Sequence, residues 1–499
     1  MRPDKIALRL GERQLSYAEL ARRVDQLASG LAAEGVAPGD RVAYLGLSDI
    51  ATFELLFASG RLGAIFVPLN FRLAAPEINT LLADSGAKVL VFGPDQAELV
   101  GHAGARRAGV KLLVETSSGA APLVAGARAY ESLLVDEPFP GRPVALGQDA
   151  LILYTSGTTG GSKGVVLTHE NLTFNSVNQL VHVDMLERDV VCSAAPLFHA
   201  AGLGQVTLPA FLKGATVVIS PKFDPGWMLA AIGELGVTAF SAVPTMLKVM
   251  CEHPDFEGAE LSSLRYVIFG GSPVLERVAR AWQARGVAVL QGYGMTEASP
   301  GVYAALVEGS FERPSSTGVP HFFTDVAIAD PHGEPGGAAG EGELLVRGLN
   351  VFRGYWNRAE ETARALAGGW FRTGDALRVG EDGWSTVIDR TKDMIISGGE
   401  NVYPAEVEAA LAEHPGVLDS AVVGVPDERW GESGVAFVVR RPGSAVGEEE
   451  LRSHLANRIA RFKVPSRVHF LESLPQTATG KVRKPELRRL ASELTSGHG

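Results

Sequence analysis

The stretch YTSGTTGGSKG, Tyr154 to Gly164, sets hydroxyl residues and glycines ahead of one lysine. That composition wraps phosphate oxygens with backbone N–H groups and hydroxyls. It differs from a Walker loop: Ser162 precedes Lys163 and Gly164 follows it, leaving no hydroxyl after the lysine to hold magnesium. Alone, the loop reads equally as a surface hairpin with one solvated lysine. QGYGMTEA, Gln291 to Ala298, is more specific, because two glycines that admit close backbone approach alternate with an aromatic ring, a hydroxyl and the Glu297 carboxylate, after the strand-like VAVL. Those groups suit a nucleobase, a phosphate and a metal ion. WFRTGDALRV offers Asp375 in an expected turn, where a carboxylate can accept ribose hydroxyls or simply cap the turn. DRTKDMIISGGENVYPAEVE supplies Arg390 and Lys392, followed by paired glycines. Taken singly, PLFH with His199 reads as a core histidine, and GGSP, Gly270 to Pro273, as an ordinary turn.

The surrounding segments determine where these groups can sit. DALILY enters the first loop as a buried strand and GVVLTH leaves it as a second, so the loop joins strand to strand and the phosphate field must come from loop amides and Lys163. A helix is expected after Thr168. Upstream, Ser16 and Glu19 form a capping box, Leu20, Val24, Leu27 and Leu31 share one helical face, and Gly35 ends the helix. Strands such as DRVAYLGL and KVLVF alternate with further helical stretches, the pattern of α/β layers. DPHGEPGGAAGEGE lies between strand-like VAIAD and GELLVRG and reads as a long hairpin turn. From about residue 390 the texture becomes a compact α+β alternation of domain size. The expected fold is therefore a large N-terminal multilayer α/β domain, 1–389, with a smaller mobile α+β C-terminal domain, 390–499.

The chain of 499 residues is long enough for two folding units. Its 57 acidic and 46 basic residues give a net charge of -11, which argues against a general nucleic-acid or anionic-membrane binder. Two cysteines, Cys192 and Cys251, have neither disulfide-framework nor metal-ligand spacing and suit a reducing compartment. The charged N-terminus MRPDKIALRLGER does not read as a signal peptide, and no run of 18 apolar residues follows. A cytoplasmic protein is expected, with transient membrane contact allowed and oligomeric state open.

The ordered set YTSGTTGGSKG, PLFH, GGSP, QGYGMTEA, FRTGD, DRTKDMIISGGENVYPAEVE and LPQTATGKVRK resembles the adenylate-forming superfamily of acyl-CoA synthetases, nonribosomal-peptide adenylation domains and firefly luciferase. The resemblance implies a two-step reaction with ATP, Mg2+ and coenzyme A: a carboxylic acid attacks the α-phosphate of ATP, and the coenzyme A thiol then displaces AMP. It implies that Thr155, Ser156, Gly157, Thr158, Thr159 and Lys163 hold the β- and γ-phosphates. Gly271, Ser272 and Pro273 lie beside adenine, while Gln291, Gly292, Tyr293, Gly294, Met295 and Thr296 line adenine, α-phosphate and acyl group. Glu297 is the magnesium ligand, Asp375 takes the ribose hydroxyls, and Arg390 meets the ribose or phosphates.

By the same resemblance Lys392 is a hinge, and Lys481, in ATGKV, reaches the α-phosphate and acyl carboxylate during adenylation. Rotation about Lys392 removes Lys481 and brings Ser397, Gly398 and Gly399 beside the pantetheine arm. His199 borders the acyl and thiol channels, and Lys222 meets the coenzyme A nucleotide. Where some members carry a lysine before the paired glycines, this chain has Ile396. The motifs look most like medium- to long-chain fatty acyl and aryl acyl-CoA synthetases. Gly292 stands where malonate-activating relatives place an arginine, and FHAAGLGQV and FSAVPTML are small and apolar. The expectation is a fatty-acid–CoA ligase; an aryl or alicyclic acid–CoA ligase is the alternative, and an enzyme loading a carrier protein a further one.

Overall fold

The computed structural model of the chain describes residues 2–106, 108–116, 122–137, 139–155, 162–271, 276–314, 316–330, 332–390, 393, 395–397, 400–427, 431–459, 461–477 and 481–496. The chain divides into two compact units, the first formed by Met1–Val326, Val346–Phe371 and Asp382–Ser385, the second by Ala327–Leu345, Arg372–Glu381 and Thr386–Gly499. The boundary expected beside Arg390 falls just inside the last segment of the second unit.

Two large sheets build the first unit. In one, the strands Val190–Ser193, Thr216–Ile219, Ala239–Ala242, Tyr266–Phe269 and Ala288–Gly294 run parallel to their neighbours. Their sequences, such as VVCS, TVVI and YVIF, are almost continuously apolar because both faces of a parallel sheet are covered. Helices return the chain between them. Asp224 caps Pro225–Leu235 by accepting from the Trp227 amide, and Gly236, at φ +64°, ends it in the left-handed region. One face of this sheet packs around Trp282, which contacts Phe240 and Phe256 edge-on and donates its indole N–H to the Leu247 carbonyl at 3.2 Å.

The other sheet carries the hairpin of the phosphate-type loop. Asp149–Thr155 pairs antiparallel with Lys163–Thr168, with Thr155 opposite Lys163, so the loop does join strand to strand. Thr168 caps the helix His169–His182 as its position suggests, and Ser16 with Glu19 closes the capping box of Tyr17–Ala33. Strands Thr324–Ile328 and Gly340–Gly348 flank the Gly/Pro-rich stretch, where Asp330 Oδ1 accepts from the amides of His332 and Glu334, the local bonding of a turn.

In the second unit Val417–Asp427, Gly431–Arg440 and Arg467–Leu471 form a sheet whose two faces are both covered. Val422, Ala436 and Val438 pack on Val407, Leu411, Leu451 and Leu455. Ala421, Val423, Val435 and Phe437 pack on Leu487 and Ala491 of the helix Lys484–Ser496. The two-residue alternation of strands and the four-residue spacing of helices produce this sandwich directly.

Two local expectations are corrected. Asp375 lies within the strand Phe371–Val379 rather than in a turn; the turn-like signal belongs to Gly374, whose φ of +68° bends the strand one residue earlier. QGYG is likewise strand rather than post-strand loop, because Ala288–Gly294 exchanges its parallel neighbour for the antiparallel strand Gly301–Ala304, pairing Gly292 with Ala304 and Gly294 with Gly301.

Candidate active site

The parallel strands carry His199, Lys222, Gly270 and Gln291 at one edge, their carboxyl ends, where ligands gather in open α/β sheets. His199 follows Val190–Ser193 and starts the helix Ala200–Gly204, its ring 4.4 Å from that of Phe198. Lys222 follows Thr216–Ile219; it is exposed, and its carbonyl accepts from the Ser220 hydroxyl at 3.0 Å. Gly270 and Gly271 follow Tyr266–Phe269, Gly271 at φ +91°. Gln291 to Gly294 end the next strand.

Tight packing fixes the turn that follows. A Cβ on Gly294 would lie 1.7 Å from the Pro300 carbonyl oxygen, so that position requires glycine. Met295 N–H donates to the same carbonyl, Thr296 opens the short turn Thr296–Ala298, and Glu297 lies at its centre. Buried Asn350 braces this turn: its side-chain amide donates to the carbonyls of Ala298 and Gly301, and its main-chain carbonyl accepts from Ser299 Oγ.

The Glu297 carboxylate accepts the hydroxyl of Tyr355 at 2.9 Å. Burial, with that carboxylate second, raises the phenol's pKa, so Tyr355 remains a donor. The Lys163 ammonium sits 5.2 Å from the centre of the Tyr355 ring and forms an ion pair with Glu361. That hydrogen bond holds the Glu361 carboxyl below its ordinary range. Lys163, Tyr355, Glu297 and Glu361 thus form one chain of contacts. Tyr355 is positioned by backbone pairing of Gly354–Tyr355 with Val165–Val166 on the hairpin's second strand. Trp356 N–H also donates to the Gly164 carbonyl at 2.7 Å. Thr155, at the end of the first hairpin strand, faces the Lys163 carbonyl through its hydroxyl.

In the second unit Asp375 is buried, and its amide donates to Thr373 Oγ1 at 3.1 Å. Arg390 ends the strand Ser385–Arg390, and Ser397, buried, ends Ile395–Ser397 opposite Glu400. Lys481 is exposed, and its carbonyl accepts from the Thr477 N–H at 2.7 Å. Ser156, Gly157, Thr158, Thr159, Ser272, Pro273, Lys392, Gly398 and Gly399 lie outside the described residues, as does the Ile396 side chain.

Sequence reasoning missed Tyr355, Glu361 and Asn350. The GYW run at 354–356 carries a usable signal, an aromatic pair behind a glycine, whereas Glu361 in RAEETAR looks like any solvated helix charge. Among the described residues no cluster of three His, Cys, Asp or Glu side chains could hold a metal alone. Glu297 still fits magnesium, which commonly takes one or two carboxylates and completes its shell with water and phosphate oxygens.

The AMP-binding enzyme family model matches residues 1–356, and the model of the AMP-binding enzyme C-terminal domain matches 406–481. The chain is 50% identical over 489 residues to a feruloyl-CoA synthase of an Amycolatopsis species, covering 98% of this chain and 96% of that protein. It is 38% identical over 479 residues to a long-chain-fatty-acid–CoA ligase of Mycobacterium tuberculosis, covering 95% and 93%. A solved o-succinylbenzoate CoA synthetase of Bacillus subtilis, bound to its acyl-adenylate intermediate, superimposes with a TM-score of 0.86 at 31% identity, covering 98% and 96%. The chain belongs to the AMP-binding enzymes, the adenylate-forming superfamily. It is an AMP-forming acid–thiol ligase that works on a small carboxylic acid with ATP, Mg2+ and coenzyme A. Among the described residues no helix is long and apolar enough to cross a membrane.

Proposed function

We propose that this enzyme converts an aryl carboxylic acid of the hydroxycinnamate type to its coenzyme A thioester, and that the fatty-acid expectation gives way to its aryl alternative. The observation that carries the reading is the 50% identity to a feruloyl-CoA synthase across nearly both chains, against 38% to a fatty-acid ligase. The glycines at 270 and 292 are consistent with it. A Cβ on Gly270 would lie 3.1 Å from the Gly292 carbonyl oxygen, so these neighbouring strand ends pack closely and carry no side chain that would narrow the site.

In the first step a carboxylate oxygen attacks the α-phosphorus of ATP, the bond to the bridging oxygen breaks, and pyrophosphate leaves. In the second the coenzyme A sulfur attacks the acyl carbon, AMP leaves with the bonding pair, and the thiol proton is lost. Lys163, Thr155 and the loop 156–159 neutralise the outgoing pyrophosphate. Glu297 would hold Mg2+, which supplies charge neutralisation at the phosphates, and Tyr355 orients that carboxylate by its 2.9 Å hydrogen bond. Gly271, Ser272, Pro273 and Gln291 to Thr296 flank the nucleotide and acyl group, Asp375 and Arg390 take the ribose, and Lys481 stabilises charge at the α-phosphate. His199 borders the acyl carbon. Lys222, Ser397, Gly398 and Gly399 serve coenzyme A, with Lys392 as the pivot between steps.

We place the enzyme in the cytoplasm, where Cys192 and Cys251 remain free thiols; cell fractionation checks this. The substrate is tested by ATP–pyrophosphate exchange across benzoates, cinnamates, C8 to C18 fatty acids and dicarboxylates, with mass detection of the acyl-CoA formed. Preference for hydroxycinnamates supports the reading, and a fatty acid with higher kcat/KM than every aryl acid refutes it.

A further inference from the structure

The residue that follows the helix Ala200–Gly204 is Gln205, a long amide that is only 7% exposed. Its Oε1 is buried and has no hydrogen-bond partner among the described residues. Its Nε2 lies 3.3 Å from the position a Gly270 Cβ would take and 3.7 Å from that of Gly292. The amide nitrogen therefore packs beside these two glycines, in the space a side chain at either position would need. A buried acceptor without a partner loses its hydration with nothing in return. Such an orphan in a native structure asks for a reason, and a ligand that supplies the missing partner is one.

The backbone carrying Gln205 is fixed. A Cβ on Gly202 would lie 2.3 Å from the Pro196 carbonyl oxygen, and one on Gly204 2.4 Å from that of Ser299. Asn175 Nδ2 also donates to the Gly204 carbonyl at 2.8 Å. Three packed contacts hold this short helix against its neighbours, so the amide is presented in one place before substrate arrives. Gln205 lies six residues after His199 on the same short segment, and the resemblance places His199 at the border of the acyl channel.

We propose that Gln205 is a specificity-determining residue whose amide hydrogen-bonds the phenolic hydroxyl at the distal end of the aryl acid. The inference rests on the aryl reading above. Interchanging the amide's oxygen and nitrogen leaves it intact, since a phenol both donates and accepts. Burial sharpens the discrimination: an analogue lacking the hydroxyl leaves the buried amide unpaired, a larger penalty than the loss of a solvated contact.

The test compares kcat/KM for 4-hydroxycinnamate and cinnamate in the wild-type enzyme, Gln205→Leu and Gln205→Met. The methionine has nearly the glutamine's volume and guards against a leucine variant that fails to fold. The expected result is a wild-type preference for the hydroxylated acid of about 10-fold or more, falling to within about 3-fold of unity in the variants. An unchanged ratio while both acids are still activated overturns the role of Gln205 and leaves the aryl reading standing. If the wild-type enzyme activates neither aryl acid but does activate fatty acids, the aryl reading itself fails and the inference falls with it.

Discussion

Lys163, the lysine assigned to the departing pyrophosphate, is already engaged. It pairs with Glu361 and rests on the Tyr355 ring, so an incoming triphosphate must compete with a carboxylate for the same ammonium. Replacing Glu361 by Gln keeps the volume and the cation–π contact but removes the competing charge. Both side chains of the pair are 28% exposed, which places it between a surface pair and a buried one. Exposed pairs contribute roughly 0.2–1 kcal/mol and charge-assisted hydrogen bonds somewhat more, so about 1 kcal/mol is a fair figure. That corresponds to about a 5-fold change in an equilibrium constant. E361Q should therefore bind ATP about 5-fold more tightly, measured by calorimetry and by KM for ATP at saturating acid, and the difference should shrink as salt is raised. The depressed pKa of Glu361 means its charge is present at neutral pH and is lost only as the pH falls below the ordinary carboxylate range, so the effect should be flat around neutrality. An unchanged or weakened ATP affinity in E361Q refutes the competition and makes Glu361 an orienting partner of the lysine.

Two further outcomes follow from other parts of the molecule. Lys481→Ala should abolish pyrophosphate release from acid plus ATP while sparing conversion of supplied acyl-adenylate to thioester; equal loss of both would remove its assignment to the first step. His321 is fully buried beside His182, and burial lowers its pKa from an ordinary 6.5 to about 3. The unfolded chain takes up a proton below pH 6.5 that the folded chain refuses until near pH 3, so stability falls as the pH is lowered through that window. From pH 7 to pH 5 this one group costs about 2 kcal/mol. His321→Asn should remove that much from the acid-induced loss of stability in urea melts, whereas parallel wild-type and variant curves would show that His321 does not titrate as its burial demands.

Much of the site's vocabulary is legible along the chain because the chemistry constrains local composition. A loop that bends around phosphate needs glycine and hydroxyls, which marks out Tyr154 to Gly164, and the β-branched runs on either side identify it as a strand-to-strand loop from local pattern alone. Capping residues such as Ser16 and Thr168 act within one turn of chain and are equally readable. The turn expected at Asp375 is wrong by one residue because glycine and aspartate both signal turns, and only the backbone assigns the bend to Gly374.

What the sequence determined by itself was the alternation of layers, the strand-to-strand connection that ends at Lys163 and, through the order of seven motifs, the adenylate-forming reaction. Tertiary structure alone decided which groups meet. Tyr355 is remote from Lys163 along the chain and reaches it because Gly354–Tyr355 pairs beside Val165–Val166. Glu361 acquires its partner the same way, and Gln205 faces Gly270 and Gly292 because two strand ends and a short helix converge. Such contacts leave no periodic or compositional trace, since each residue obeys only its own element's local rules, and their meeting is set by how strands from distant parts of the chain order themselves in a sheet.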